Sequence, residues 1–176
     1  YSILINELRD VKYDEVSSAT LLQIVAIIAE RDCTRKTILK LDKHEFIKTW
    51  DVAVSCLKDT IDYLKSYGIP VSRLLPYNAI LVPFSYFFYK HKYKPTGEIK
   101  KMLDDFFWRV SLGNRYSSGV EGKIAQDINK IDQIINSSLP KYEWSIDISP
   151  QFLMHPSIGY FSTVFKKHFG KSPTDI

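Results

Sequence analysis

Two cysteines, Cys33 and Cys56, are all the sulfhydryl chemistry the chain carries. They lie too far apart for a Cys-x-x-Cys pair and each stands among apolar residues. That excludes a disulfide framework and predicts two reduced, buried thiols, as in a cytosolic protein. Histidine is as scarce: His44, His91, His155 and His168 are widely separated, and none stands at helical spacing from another. A metal site needs several convergent ligands, so none is expected. Long hydrophobic runs are missing too. The longest, residues 79–89, is about half the roughly 20 residues a membrane-crossing helix needs, and it contains Pro83 and Ser85. It reads as core, with no membrane contact. Sustained apolar alternation is absent, which argues against a sheet, and no repeat or low-complexity tract occurs.

Charge of one sign is not in large excess either. A net charge of +4 is too small to demand nucleic acid, but the cations are unevenly placed. Lys90, His91, Lys92 and Lys94 crowd together, and Lys166, Lys167, His168 and Lys171 form a second cluster. The chain begins at Tyr1, and the stretch that follows lacks the basic, apolar and small-residue blocks of a secretory signal. It reads as a segment trimmed from a larger intracellular protein.

What is present is helical periodicity. Leu21, Leu22, Ile24, Val25, Ile27 and Ile28 cover more than one stripe of a helix over 17–32, with Ser17 and Ser18 as caps. Asp42 and Glu45 resemble a capping box, and Phe46, Trp50, Ala53, Leu57, Ile61 and Leu64 continue at spacings of three and four. Gly68 and Pro70 end that pattern, which predicts one long helix over 42–67. A third helix, apolar on all faces, is expected over 74–90, with Pro76 in its first turn and a kink at Pro83. Further helices are expected over 98–111, stopped by Gly113, over 120–136, carried by Ile124, Ile128, Ile131 and Ile135, and over 160–169. Residues 139–157, with Pro140, Pro150 and Pro156, read as an irregular connection, with short extended pieces open near residues 146–148. The sum is an all-α fold: a single irregular helical bundle of about six helices.

No catalytic set emerges. Asp104 and Asp105 are adjacent on a helix, so their side chains diverge by about 100° and suit a solvated edge and an ion pair better than an acid/base couple. Gly119 and Gly122 before Lys123 miss the Walker spacing, and Ile124 stands where Ser or Thr is required; permissive glycines at a helix start explain them better. Residues 106–119 are the most unusual stretch. There Arg109, Arg115, Tyr116, Ser117 and Ser118 follow the aromatic run Phe106, Phe107 and Trp108. Two readings stand. The arginine forks and hydroxyls bind an anion such as phosphate, or the aromatics fill core while the arginines cap carbonyls or pair with Asp104, Asp105 or Glu121. Lys90, Lys92 and Lys94, interleaved with Tyr89 and Tyr93, fit either a nucleic-acid-contacting loop or a solvated surface loop.

Leu75, Pro76, Tyr77 and Asn78 before the apolar run, then Phe107, Trp108 and Arg109, then residues 115–119, then Asp127 and Ile128, together resemble the helical region of domain-of-unknown-function family 262. That is the family of GmrSD-type modification-dependent restriction proteins. The likeness runs over residues 21–160. Such proteins typically start with a ParB/sulfiredoxin-like region bearing an Asp-Gly-Gln-Gln-Arg motif tied to nucleotide use, and many finish with an HNH-type nuclease. Neither motif occurs in this chain. The resemblance therefore implies a helical scaffold over residues 1–158, in a nucleotide-dependent DNA-cleaving defence protein. Its partners would be that parent's nucleotide-binding and nuclease regions and duplex DNA, with no catalytic residue and no cofactor in this segment. A basic tail, residues 159–176, is similar at residues 164–173 to the closing helix of an AraC-type transcription regulator, whose Lys166 and Lys167 would touch DNA phosphates. A regulator fragment reading DNA through this helix is the alternative function. A free-standing hydrolase is a third, and it requires a pocket where Arg109, Arg115 and a carboxylate converge.

Overall fold

A computed structural model describes residues 2–146, together with Lys166 and Gly170. Among these residues there are seven α-helices and no strand. They are α1 (Ser2–Asp10), α2 (Ser18–Glu30), α3 (Arg35–Lys40), α4 (Lys43–Ser66), α5 (Leu81–His91), α6 (Gly97–Leu112) and α7 (Val120–Ile135), with 3-10 turns at Ser72–Leu74 and Asn78–Ile80. The all-α expectation holds. Two of the seven, α1 and α3, were not legible as helices: α3 has six residues and no buried one, so it writes no apolar stripe.

Local chemistry sets the helix ends. Ser17 Oγ accepts the Thr20 backbone N–H at 3.1 Å and opens α2. Asp42 accepts from the backbones of His44 and Glu45 and opens α4, which is the N-cap half of the capping-box pattern. Arg31 and Lys92 adopt left-handed conformations and stop α2 and α5.

The expectation for residues 74–90 needs correction. Pro76 precedes the helix, and the run is divided into the 3-10 turn Asn78–Ile80 followed by α5. Pro83 is thus the third residue of α5, where an N–H would lack an intrahelical partner anyway, so it marks a helix start and no mid-helix kink is required.

Packing centres on α5. Its residues Leu81, Val82, Pro83, Phe84, Ser85, Tyr86, Phe87 and Phe88 are all buried, because α2, α4 and α7 each pack against it. A helix covered on several sides must be apolar all round, which explains its uninterrupted hydrophobic sequence. The α6–α7 pair completes the body. Tyr13 is fully buried and donates its hydroxyl to the Ile69 carbonyl at 2.8 Å, tying the turn after α1 to the loop after α4. Thr60 Oγ1 donates to the Cys56 carbonyl at 2.8 Å and lies 3.3 Å from Ser85 Oγ at the α4–α5 contact, where it is free to accept the Ser85 hydroxyl. The expected helix over 160–169 and the boundary at 158 lie outside the described residues, except that Lys166 is helical and its carbonyl accepts the Gly170 N–H at 2.8 Å.

Candidate functional site

The aromatic and arginine stretch folds into the end of α6 and the loop leading to α7. Gly113 closes α6 with its N–H on the Arg109 carbonyl at 2.9 Å. Asn114 turns left-handed, and Gly119, at φ +60°, launches α7. That turn swings Arg115 back beneath the helices. Its guanidinium donates to both carboxylate oxygens of Asp127, Nε at 3.2 Å and Nη2 at 3.0 Å, and Nη2 also reaches Gln126 Oε1 at 2.8 Å. Tyr116 donates its hydroxyl to the same carboxylate at 2.9 Å, and Lys130 Nζ lies 3.9 Å from it. Asp127 is fully buried and Arg115 is 8% exposed.

Burial pushes the Asp127 carboxyl above its ordinary value, while the Arg115 guanidinium, the Tyr116 hydroxyl and Lys130 all pull the other way. Burial and the Asp127 charge drive the Tyr116 phenol well up, so it serves as a hydrogen-bond donor and not as a base.

Over this cluster lies a strap, residues 139–146, that leaves α7 and crosses back toward α6. Tyr142, Trp144 and Ile146 pack against the core, while Lys141, Glu143 and Ser145 face out. Exposure thus alternates along the strap, whose backbone bends at Glu143 and Trp144. Trp144 Nε1 donates to the Arg109 carbonyl at 3.0 Å, and its ring takes the Arg115 guanidinium at 4.1 Å and Lys130 Nζ at 5.4 Å. Arg109 pairs with Asp105 at 2.7 Å and lies over the Tyr142 ring at 4.6 Å. Lys130 also bonds Glu143 at 3.0 Å.

The ten residues read from sequence as anion or nucleic-acid contacts therefore divide. Arg115 and Tyr116 are interior and committed to Asp127; Arg109 is committed to Asp105 and Tyr142. A phosphate reaching Arg115 would have to displace both Trp144 and a buried carboxylate. Ser117 and Ser118 are exposed in the loop. Lys90, Lys92 and Lys94 are exposed at the end of α5, with Lys90 Nζ 5.5 Å from the Tyr89 ring and 5.8 Å from that of Tyr86. Lys166 is exposed, and Lys167 lies outside the described residues, as do His155 and His168.

Lys92 and Lys94 are exposed at the mouth of a cleft. They line this cleft, of about 230 Å³, with Asp59, Asp62, Tyr63, Phe88 and Tyr93. Asp59 titrates above its ordinary value because of burial and the neighbouring Asp62. The two carboxylates offset much of the positive field of the basic loop. Beside this cleft, Asp104 accepts from Lys100 Nζ at 2.5 Å and from the hydroxyls of Tyr63 at 3.2 Å and Tyr67. Asp104 and Asp105 thus serve different partners, as their divergent directions on one helix predict.

Compared with protein-family models, curated proteins and solved structures, the chain matches none. Among the described residues no group of three or more His, Cys, Asp or Glu side chains is placed to hold a metal ion, and no helix is long and apolar enough to cross a membrane.

Sequence reasoning missed the partner of Arg115, because Asp127 lies across a loop from it while Asp104, Asp105 and Glu121 are nearer or equally plausible along the chain. It also missed the strap. The alternation of Tyr142, Trp144 and Ile146 was the available signal, too short to stand out between prolines. A second feature escaped notice: an apolar groove of about 470 Å³ between α2 and α4, lined by Leu21, Leu22, Phe46, Ile47 and Trp50.

Proposed function

We propose that this chain is a helical scaffold and interaction module, without catalysis of its own, in a nucleotide-dependent, modification-directed DNA restriction protein of the kind its sequence resembles. The observation that carries the reading is the α2–α4 groove. Phe46 and Trp50 pack in it as a tilted pair with ring centroids 5.5 Å apart, and Ile47 is 58% exposed. Apolar side chains grouped on one open face suit a covering partner, and in this reading the occupant is another region of the same parent chain. The charges support the same view from the opposite side. Arg115 is paired with Asp127 in the interior and Arg109 with Asp105 nearer the surface, so both arginines are committed to structural partners.

Ile47→Asp in the full-length protein is expected to leave the fold's stability within about 0.5 kcal/mol, as exposed substitutions do, and to abolish phage restriction. Restriction at the normal level in that variant would overturn the scaffold reading. Within this proposal DNA contact is confined to the exposed loop at Lys90, Lys92 and Lys94. Replacing those three with glutamate should remove any salt-dependent binding of duplex DNA by the chain. Binding that survives the triple change would place the DNA contact elsewhere.

A further inference from the structure

We infer that the α6–α7 groove beneath residues 139–146 is a binding site for a short peptide of the pattern aromatic, acidic, tryptophan, and that the chain's own strap occupies it as a competing ligand in cis. The floor of the groove belongs entirely to the helical body. Arg115 is fixed by Asp127 and Gln126 below, so its guanidinium plane faces upward whether or not an indole rests on it. Gly113 leaves room for the ring: a Cβ there would stand 2.4 Å from Trp144 Cδ1. The Arg109 carbonyl, at the end of α6, offers the acceptor for the indole N–H. Lys130 meets the acidic residue, and the Arg109 guanidinium faces the first aromatic ring. Indole shelf, N–H acceptor, ammonium and second cation thus meet three successive residues of the strap, Tyr142, Glu143 and Trp144.

The strap itself is attached in a way that permits release. The buried cluster keeps its bonds between Arg115, Tyr116 and Asp127 without any atom of the strap. Leu139, where the strap begins, is 76% exposed, and Ser137 before it holds a left-handed conformation. Among the described residues the Tyr142 hydroxyl is buried with no hydrogen-bond partner, which weakens the strap's own hold. A peptide in trans with a phenylalanine at that place would avoid the penalty.

The test uses the whole chain and a fluorescent peptide, Lys-Tyr-Glu-Trp-Ser-Ile, followed by anisotropy. Trp144→Ala empties the indole shelf, and this variant should bind the peptide at least about tenfold more tightly than the unmodified chain, in which the tethered strap competes at millimolar effective concentration. The same peptide with alanine for tryptophan should not bind. Absence of saturable binding to a Trp144→Ala chain that retains its helical circular dichroism overturns the proposal. Equal binding to both chains also overturns it, because the site then lies elsewhere. Binding of oligothymidylate to the variant, with none of the peptide, overturns it in favour of nucleobases stacking on the arginines. Where Trp144→Ala does not fold, Glu143→Lys replaces it, since Glu143 is exposed and its change sets two ammonium groups against each other. Tighter peptide binding than by the unmodified chain is again expected, and no difference overturns the inference.

Discussion

Arg115 is a buried cation bound to a fully buried carboxylate. Truncating it to alanine leaves the Asp127 carboxylate buried with a tyrosine hydroxyl and a distant lysine. Breaking one side of such a pair typically costs about 3–5 kcal/mol, because the remaining charge is stranded in a low dielectric. Chemical denaturation of Arg115→Ala should show a loss of that size. A change near zero would mean that water reaches the cluster. Arg109→Ala, whose salt bridge is one-third exposed on the arginine side, is expected to cost no more than about 1 kcal/mol.

The two thiols make a second residue-scale prediction. Burial pushes Cys33 up to about 12 and Cys56 up to about 11. The Tyr86 phenol is raised to about 12 by burial and by its bond to Asp132. All three are acids whose folded value exceeds the unfolded one. The native state keeps protons that the unfolded chain releases, so stability falls as pH rises from the ordinary thiol and phenol values, about 8.5 to 10, toward the folded values. Urea midpoints should drop between pH 8 and pH 10.5. A flat profile would show that these groups are not buried as described. Neither native thiol should react with Ellman's reagent at neutral pH, and both should react in denaturant.

At the scale of the helix, α4 depends on one exposed cap. Asp42 accepts from two backbone N–H groups, so Asp42→Ala should cost about 1 kcal/mol, visible as a shifted melting midpoint without loss of the cooperative transition. The opposite case is α5, which has no side-chain cap hydrogen bond and relies on tertiary cover. Phe87 is fully buried on it, and Phe87→Ala should cost about 3–5 kcal/mol through lost transfer energy and the cavity left behind. The helices legible in sequence were those long enough to show clear caps and stops: α2, α4, α6 and α7 begin and end close to where their caps, glycines and apolar residues place them. Where burial is total, as in α5, or slight, as in α3, periodicity carries no information. That is why Pro83 was misjudged as a kink and α3 was not read.

For the whole molecule, the residues singled out for anion binding were correctly marked as unusual, but their use depends on what lies opposite them. Phe106, Phe107 and Trp108 are core, as one of the two sequence readings held. Arg115, which the second reading left open for an anion, is buried and paired with Asp127, which α7 brings against it. Lys90, Lys92 and Lys94 remain on the surface, although the carboxylates of α4 stand beside them. Neither circumstance is written in the local sequence.

Composition, apolar period and cap residues by themselves determined the helical class, most helix limits and the buried state of both cysteines, because these follow from backbone hydrogen bonding and solvent exclusion over neighbouring residues. Only the tertiary structure decided that Arg115 faces Asp127, that Trp144 roofs the pair, and that Leu21, Phe46, Ile47 and Trp50 share one open groove. Those pairings join residues remote along the chain, and their energies depend on distance and burial, which exist only once the helices have packed.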